Sequence, residues 1–318
     1  MRILFSRGSG TARSAAAVAG NGFQCARKER EGVVVIMGAT GTGKSKLSID
    51  IASQFRGEVV NADKIQVYRG LDITTNKMPL EERRGVPHHL LGELDPLAGE
   101  LPPAAFRTMA RAAVANIASR GRVPVVAGGS NSYIHAMMVD RYDERENPFV
   151  GTSVARHWLR YRSCLLWVDV ETAVLAEHLD RRVDEMVGMG MVEELGRYFA
   201  RTAAEERHPG LGKAIGVPEF KEYFRRGTVA AYEEALAAIK ENTRRLAAQQ
   251  VRKIVRLGEL GWPMKRLDAS PVVEARLAGA GREAEVEAWE RGVLGPSLRA
   301  VERFLQEDLG RQRLHPPF

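Results

Sequence analysis

Cysteine is nearly missing from this chain: Cys25 and Cys164 are the only two in 318 residues. Two thiols make neither a disulfide framework nor a zinc site, so the chain reads as intracellular with reduced cysteines. No apolar run reaches the roughly 20 residues a membrane-spanning helix needs, and no membrane partner is expected. Acidic residues are absent before Glu29, whereas Arg2, Arg7, Arg13, Arg27, Lys28 and Arg30 are all present. Residues 1–31 thus carry +4 of the net +7, with Ser, Ala and Gly in quantity and no long apolar core. That is the composition of an organelle transit peptide; the expected destination is the plastid, with mitochondrion or cytoplasm as alternatives. The remaining +3 gives little support to nucleic-acid binding. Internal repeats and low-complexity blocks are also lacking.

What the chain does have begins at residue 33, "VVVIMGATGTGKSKLSIDIA". A short β-branched run, Gly32 to Met37, predicts a buried parallel strand. It leads into G-x-x-x-x-G-K-[ST] and then a helix from about Lys44 to Phe55. Further strands are expected at Glu58–Ala62, Val123–Ala127 and residues 164–170. Helices are expected from Phe106 to Arg120, from about Asn131, after residue 171 and over 229–258. Residues 71–103 read as a long ordered loop. The tail from about 266 shows one further helical stretch. Strands alternating with helices predict an α/β fold, a P-loop NTPase-like parallel sheet with helices on both faces and a mostly helical C-terminal part. The expected organisation is a transit segment over 1–31, a catalytic domain over 32–265, helical from about 172, and an extension over 266–318. Ligands of such sheets bind beyond the carboxyl ends of the strands, which puts the Gly-rich loop and Asp63 in one cleft.

The loop chemistry follows from residue type. Gly38, Gly41 and Gly43 let backbone N–H groups wrap an anion without Cβ clashes, and the helix N-terminus adds its dipole. Lys44 supplies a point charge, and the Ser45 hydroxyl suits Mg²⁺. Asp63, at the end of the second strand near Asn61 and Gln66, reads as a general base, a water-mediated Mg²⁺ ligand or a solvated cap. Asp169 ends "LLWVD" in the manner of a Walker B strand, but reads as a cap of the following helix. His88 and His89 lack partners at metal-ligand spacing. The cations of "KENTRRLAAQQVRK" are either a solvated face or an arm that closes on phosphate.

Several blocks, in order, resemble plant adenylate dimethylallyltransferases, the isopentenyltransferases that begin cytokinin synthesis: "GATGTGKSKLSIDIA", "NADKIQVYRGLDITTNK", "GVPHHLLG", "GGSNSYIHA", "LLWVDV", "RVDEMVGMGMVEEL", "KAIGVPEF" and "IKENTRRLA". They run from about residue 33 to 258. The resemblance implies transfer of the dimethylallyl group of dimethylallyl diphosphate to N6 of ADP, ATP or AMP, with loss of diphosphate. It implies that Gly38, Ala39, Thr40, Gly41, Thr42, Gly43, Lys44 and Ser45 hold the diphosphate, with Mg²⁺ on Ser45. Asp63 would take the N6 proton, and Thr40 would lie near the reacting centre. Lys213 in "KAIG" and Arg244 in the late helix would contact phosphate, and Ile134 and Met137 would wall the prenyl tail.

The related tRNA dimethylallyltransferases and a P-loop small-molecule kinase are the alternatives, and a non-catalytic nucleotide binder is a third. Eukaryotic tRNA members carry a C-terminal Cys/His module, and no Cys follows Cys164 here, so tRNA is not the expected partner. A monomer is the default. Two departures from the family pattern each remove a cation: Gly212 stands where Arg is usual before the Lys of "KAIG", and Gln249 replaces an Arg of the late helix. On that ground Gln249→Arg is expected to raise turnover, with Arg245 or Arg252 as possible compensation.

Overall fold

The computed structural model describes residues 31–151, 158–201 and 208–314. The expected transit segment, except for Glu31, lies outside the described residues. Six strands form one sheet in the order β3-β2-β4-β1-β5-β6, every neighbouring pair parallel. They are β1 (Gly32–Gly38), β2 (Gly57–Asn61), β3 (His88–His89), β4 (Val123–Ala127), β5 (Arg162–Asp169) and β6 (Met264–Asp268). β1 lies centrally, between β4 and β5.

Alternation along a strand buried on both faces divides the core in two. Val33, Val35 and Met37 pack with Phe106, Ile117, Tyr133, Met137 and Leu257 on one face. Val34 and Ile36 pack with Leu47, Ile51, Val168 and Trp289 on the other. The helices that supply these residues are α1 (Lys44–Gln54), α2 (Pro103–Ser119), α3 (Asn131–Met138), α7 (Val229–Glu259) and α9 (Arg282–Trp289). Between them come α4 (Thr172–Gly188), α5 (Met191–Arg201), α6 (Val217–Arg226) and α8 (Ser270–Leu277), and α10 (Gly295–Leu314) is the last element among the described residues. α4 contributes Leu175 and Leu179 to one core and Val183 and Met186 to the other, so it packs across the end of the sheet. The expected doubly wound sheet with helices on both faces is the observed fold.

Four expectations need correction. The loop over 71–103 contains β3, whose two residues pair with Val59 and Val60 at the sheet edge. A two-residue strand carries no periodicity to read. α2 starts at Pro103 rather than Phe106, because proline's fixed φ suits a first helical turn. The tail is not an extension with one helical stretch. Residues 264–268 form β6, which pairs with β5 from Leu165↔Met264 to Asp169↔Asp268, and three helices follow. A boundary at 265/266 would cut that strand. Ile134 and Met137 are fully buried on the sheet face of α3, so they belong to the core rather than to a substrate wall.

Candidate active site

β1 ends at Gly38 and the chain turns through Ala39–Gly43 into α1. Gly41 and Gly43 hold φ of +83° and +91°, where a Cβ is strained. Gly38 is required by proximity instead: a Cβ there would sit 2.5 Å from the Val168 carbonyl oxygen of β5. The Thr42 hydroxyl donates to the Ala39 carbonyl at 3.0 Å, and the Lys44 ammonium donates to the same oxygen. The loop is therefore preformed, with Lys44 folded across it. Burial pushes the Lys44 ammonium down to about 8, opposed by attraction to Asp63 and reinforced by repulsion from Arg182. Ser45 is exposed at the first turn of α1 and lines the cleft.

Across that cleft, of about 1090 Å³, stands Asp63, one residue beyond Ala62 at the carboxyl end of β2. Its Oδ1 accepts the backbone N–H groups of Ile65 (2.9 Å) and Gln66 (3.3 Å), a cap of the short turn that follows. The cap reading and the base reading are thus compatible. The turn consumes Oδ1 and fixes the carboxylate, and Oδ2 has no hydrogen-bond partner among the described residues. Oδ2 lies 3.7 Å from where a Cβ of Gly129 would be. Gly128 and Gly129 are glycine for the same spatial reason. A Cβ on Gly128 would meet the Ala62 backbone at 2.3 Å, and one on Gly129 would meet Gln250 Nε2 at 2.3 Å.

Three polar side chains complete the cleft that the sequence reading did not single out. Gln250, buried on α7, accepts the Thr40 N–H through Oε1 at 2.7 Å, and its own carbonyl accepts Asn131 Nδ2 at 3.0 Å. Arg182 on α4 approaches the Thr40 hydroxyl at 3.3 Å; burial lowers its pKa, countered by Glu185 and Asp63. His178, one turn earlier, is buried and pushed down to about 4, chiefly by desolvation, and bonds to the Gly41 backbone. A neutral imidazole there fastens the loop from beneath. The signal for this pair was Arg182 at i+4 from His178 within the apolar stripe Leu175, Leu179 and Val183.

Not every expected residue arrives at this cleft. Arg244 is held by Asp180 (2.5 and 2.6 Å) and Glu241 (2.8 Å), outside the lining. Lys213 pairs with Glu100, which also takes Lys64. Asp169 is not the helix cap it was expected to be. Glu171 caps α4, accepting from Ala173 and Val174 at 2.9 and 3.0 Å. Asp169 is buried and taken by Arg266 at 2.7 and 2.6 Å, and it does not line the loop cleft. Gln249 and Arg252 line a second cleft of about 560 Å³ with Lys253, Arg256 and His135, so Gln249→Arg would not restore a cation to the loop cleft. Gly212 does not line the loop cleft either.

Among the described residues no group of three or more His, Cys, Asp or Glu side chains is placed to hold a metal. Mg²⁺ brought in on a diphosphate takes one or two protein oxygens and fills its shell with phosphate and water. The exposed Ser45 hydroxyl is an oxygen of that kind.

A parallel α/β sheet with a preformed phosphate loop at its central strand and a carboxylate facing that loop defines a P-loop enzyme of phosphorylated substrates. The IPP transferase family model matches residues 66–158 and 141–254. An adenylate isopentenyltransferase of Humulus lupulus is 49% identical over 298 residues, covering 86% of this chain and 90% of that protein. Adenylate isopentenyltransferase 8, chloroplastic, of Arabidopsis thaliana is 46% identical, with 88% and 87% covered. The mitochondrial adenylate isopentenyltransferase 7 of that species is 40% identical, with 86% and 80% covered. A eukaryotic dimethylallyltransferase solved acting on tRNA has the same fold, with a TM-score of 0.73, 24% identity and 87% and 80% covered. A tRNA isopentenylpyrophosphate transferase of Bacillus halodurans superposes with a TM-score of 0.63 at 27% identity, with 82% and 99% covered. The chain belongs to the IPP transferase family, among its adenylate isopentenyltransferases.

Proposed function

We propose that this cleft transfers the dimethylallyl group of dimethylallyl diphosphate to N6 of the adenine of ADP, ATP or AMP, releasing diphosphate in the first step of cytokinin synthesis. The observation that carries the mechanism is that Asp63, with Oδ1 taken by its turn and Oδ2 left over, lines the same cleft as the preformed loop, while Asp169 lies outside that lining in its ion pair. As the allylic C–O bond breaks, positive character grows on carbon and negative charge on the leaving oxygens. The loop N–H groups, Lys44 and Arg182 stabilise that negative charge. The N6 nitrogen forms the new bond to carbon, and Asp63 Oδ2 accepts its proton. Thr40, fixed by Gln250 at its N–H and by Arg182 at its hydroxyl, keeps the loop's tip in register. Mg²⁺, held through Ser45, would supply further charge compensation to the departing diphosphate.

The acceptor's phosphates need a different cationic seat from the donor's. Lys64 follows Asp63 directly, shares Glu100 with Lys213 and repels Lys253, whose pKa is lowered mainly by burial. Lys64 and Lys213, both paired with Glu100 outside the loop cleft, and Lys253, which lines the second cleft, are the cations this reading assigns to the acceptor's phosphates. A kinase reading loses its metal-binding carboxylate with Asp169. We infer a free nucleotide rather than tRNA as acceptor, supported by the higher identity to the adenylate enzymes than to the tRNA enzymes. Plastid targeting is supported by the basic N-terminal composition and by relatives named chloroplastic, and a monomer remains the proposed state.

The test is incubation with Mg²⁺ and labelled dimethylallyl diphosphate, offering AMP, ADP, ATP or undermodified tRNA separately. Label in a free nucleotide is the expected result. Label only in tRNA, or ATP consumed without prenyl transfer, would overturn the reading.

A further inference from the structure

Among the C-terminal helices, α9 reaches the phosphate loop through Trp289. Trp289, the last residue of α9, is only 6% exposed. A Cβ on Gly43 would lie 2.9 and 3.1 Å from its Cζ3 and Cη2 atoms, so the indole edge abuts the Gly43 backbone. The other end of the ring is anchored on α1. Nε1 donates to Asp50 Oδ2 at 3.1 Å, and the Lys46 ammonium sits 4.2 Å over the ring. Asp50 also takes Lys46 and Arg84, so the carboxylate that holds the indole is itself held.

The local chain geometry is built to deliver the ring there. Directly after Trp289 the helix widens into a π-turn over Glu290–Leu294, a device that re-aims a helix and recurs at functional sites. Within it Gly292 approaches β6 so closely that a Cβ would meet the Asp268 carbonyl oxygen at 2.5 Å.

We propose that Trp289 is a positioning residue for the phosphate loop. Its edge walls Gly43 into the left-handed conformation that aims the loop N–H groups at the diphosphate. The inference rests on the proposed donor site. A glycine at φ +91° has the freedom to leave that conformation, and the indole edge packed against it narrows that freedom.

The experiment uses the full chain with Mg²⁺ and inorganic diphosphate, followed by steady-state kinetics. Diphosphate should change the intrinsic tryptophan emission of the wild type, and Trp289→Phe should abolish that change while Trp158, Trp167 and Trp262 remain. Trp289→Leu should raise the donor KM about tenfold and leave the acceptor KM within twofold. Trp289→Phe, which keeps a ring edge against Gly43, should recover most of the donor KM. An unchanged emission response in Trp289→Phe, or equal rises in both KM values for Trp289→Leu, would overturn the proposal. The diphosphate titration needs no prenyl transfer. A diphosphate response carried by Trp289 in a protein that fails to prenylate nucleotides would sink the functional reading and leave the loop assignment standing.

Discussion

The Gln250 side chain accepts the Thr40 backbone N–H at 2.7 Å, joining the long helix α7 to the phosphate loop across 210 residues of sequence. That bond fixes the loop's tip from α7. Gln250→Leu leaves the Thr40 N–H without its partner, a loss worth about 1–3 kcal/mol. The expected outcome is a donor KM raised and kcat lowered, together reducing kcat/KM by about 5- to 150-fold, which is that energy expressed as a rate ratio. Gln250→Glu keeps an acceptor oxygen and adds negative charge beside the diphosphate, so it should impair donor binding at least as much. Initial-rate kinetics on both variants check this.

Lys44 gives the donor site its alkaline limit. Burial lowers its pKa to about 8, so the ammonium loses its charge as pH rises through about 8. The kcat/KM for the donor reports the free enzyme and should fall above that pH. A pH profile flat to 9.5 would remove Lys44 from the donor's electrostatics.

Lys64, Lys213 and Lys253 should matter to the acceptor and not to the donor. Lys253→Ala or Lys213→Ala is expected to raise the KM for ATP more than that for AMP, because the longer phosphate chain presents more charge. Each variant should leave the donor KM unchanged, as separate titrations of the two substrates would show. Gln249→Arg falls in the same class, shifting acceptor rather than donor kinetics.

Far from the site, Glu58 is 2% exposed on β2 and is taken by Arg120 (2.5 and 2.8 Å), by His89 (2.7 Å) and by Arg122 (3.3 Å). The Arg120 hydrogen bond, against the cost of desolvation, holds its carboxyl down to about 2. A depressed carboxyl pKa contributes stability above its ordinary value of 4.5, and that contribution fades as pH falls towards 2. Glu58→Gln should cost about 1.5–3 kcal/mol at neutral pH, the scale for hydrogen bonds to a charged group, since the guanidinium groups left behind reach solvent. The difference from wild type should shrink in acid. Denaturant unfolding at pH 7 and pH 3 measures both.

The parts legible in the sequence were those written locally. β1, the loop and α1 follow one another within residues 32–54, and each carries its own signature of β-branched run, glycine spacing and helix. Asp63 was legible by its place at a strand end. Gln250 was not, because in "AAQQVRK" nothing separates a buried amide from the solvated Gln249 beside it. That difference arises only when α7 packs over Gly129. β6, "MKRLD", buries a single residue as an edge strand, so it has no apolar run to read. Trp289 looked like an ordinary aromatic of an unassigned tail, since its contact with Gly43 joins segments about three-quarters of the chain apart. Arg244 shows the opposite failure: a cation in the expected sequence block is spent on Asp180 and Glu241.

The central claim is that Asp63 takes the N6 proton while the loop independently holds the diphosphate. The most direct measurement is prenyl transfer by Asp63→Asn, paired with its affinity for Mg²⁺-diphosphate. Turnover should fall by about 10²- to 10⁴-fold, the usual worth of a general base, with diphosphate affinity within a few-fold of wild type. Turnover within a few-fold of wild type would contradict the account.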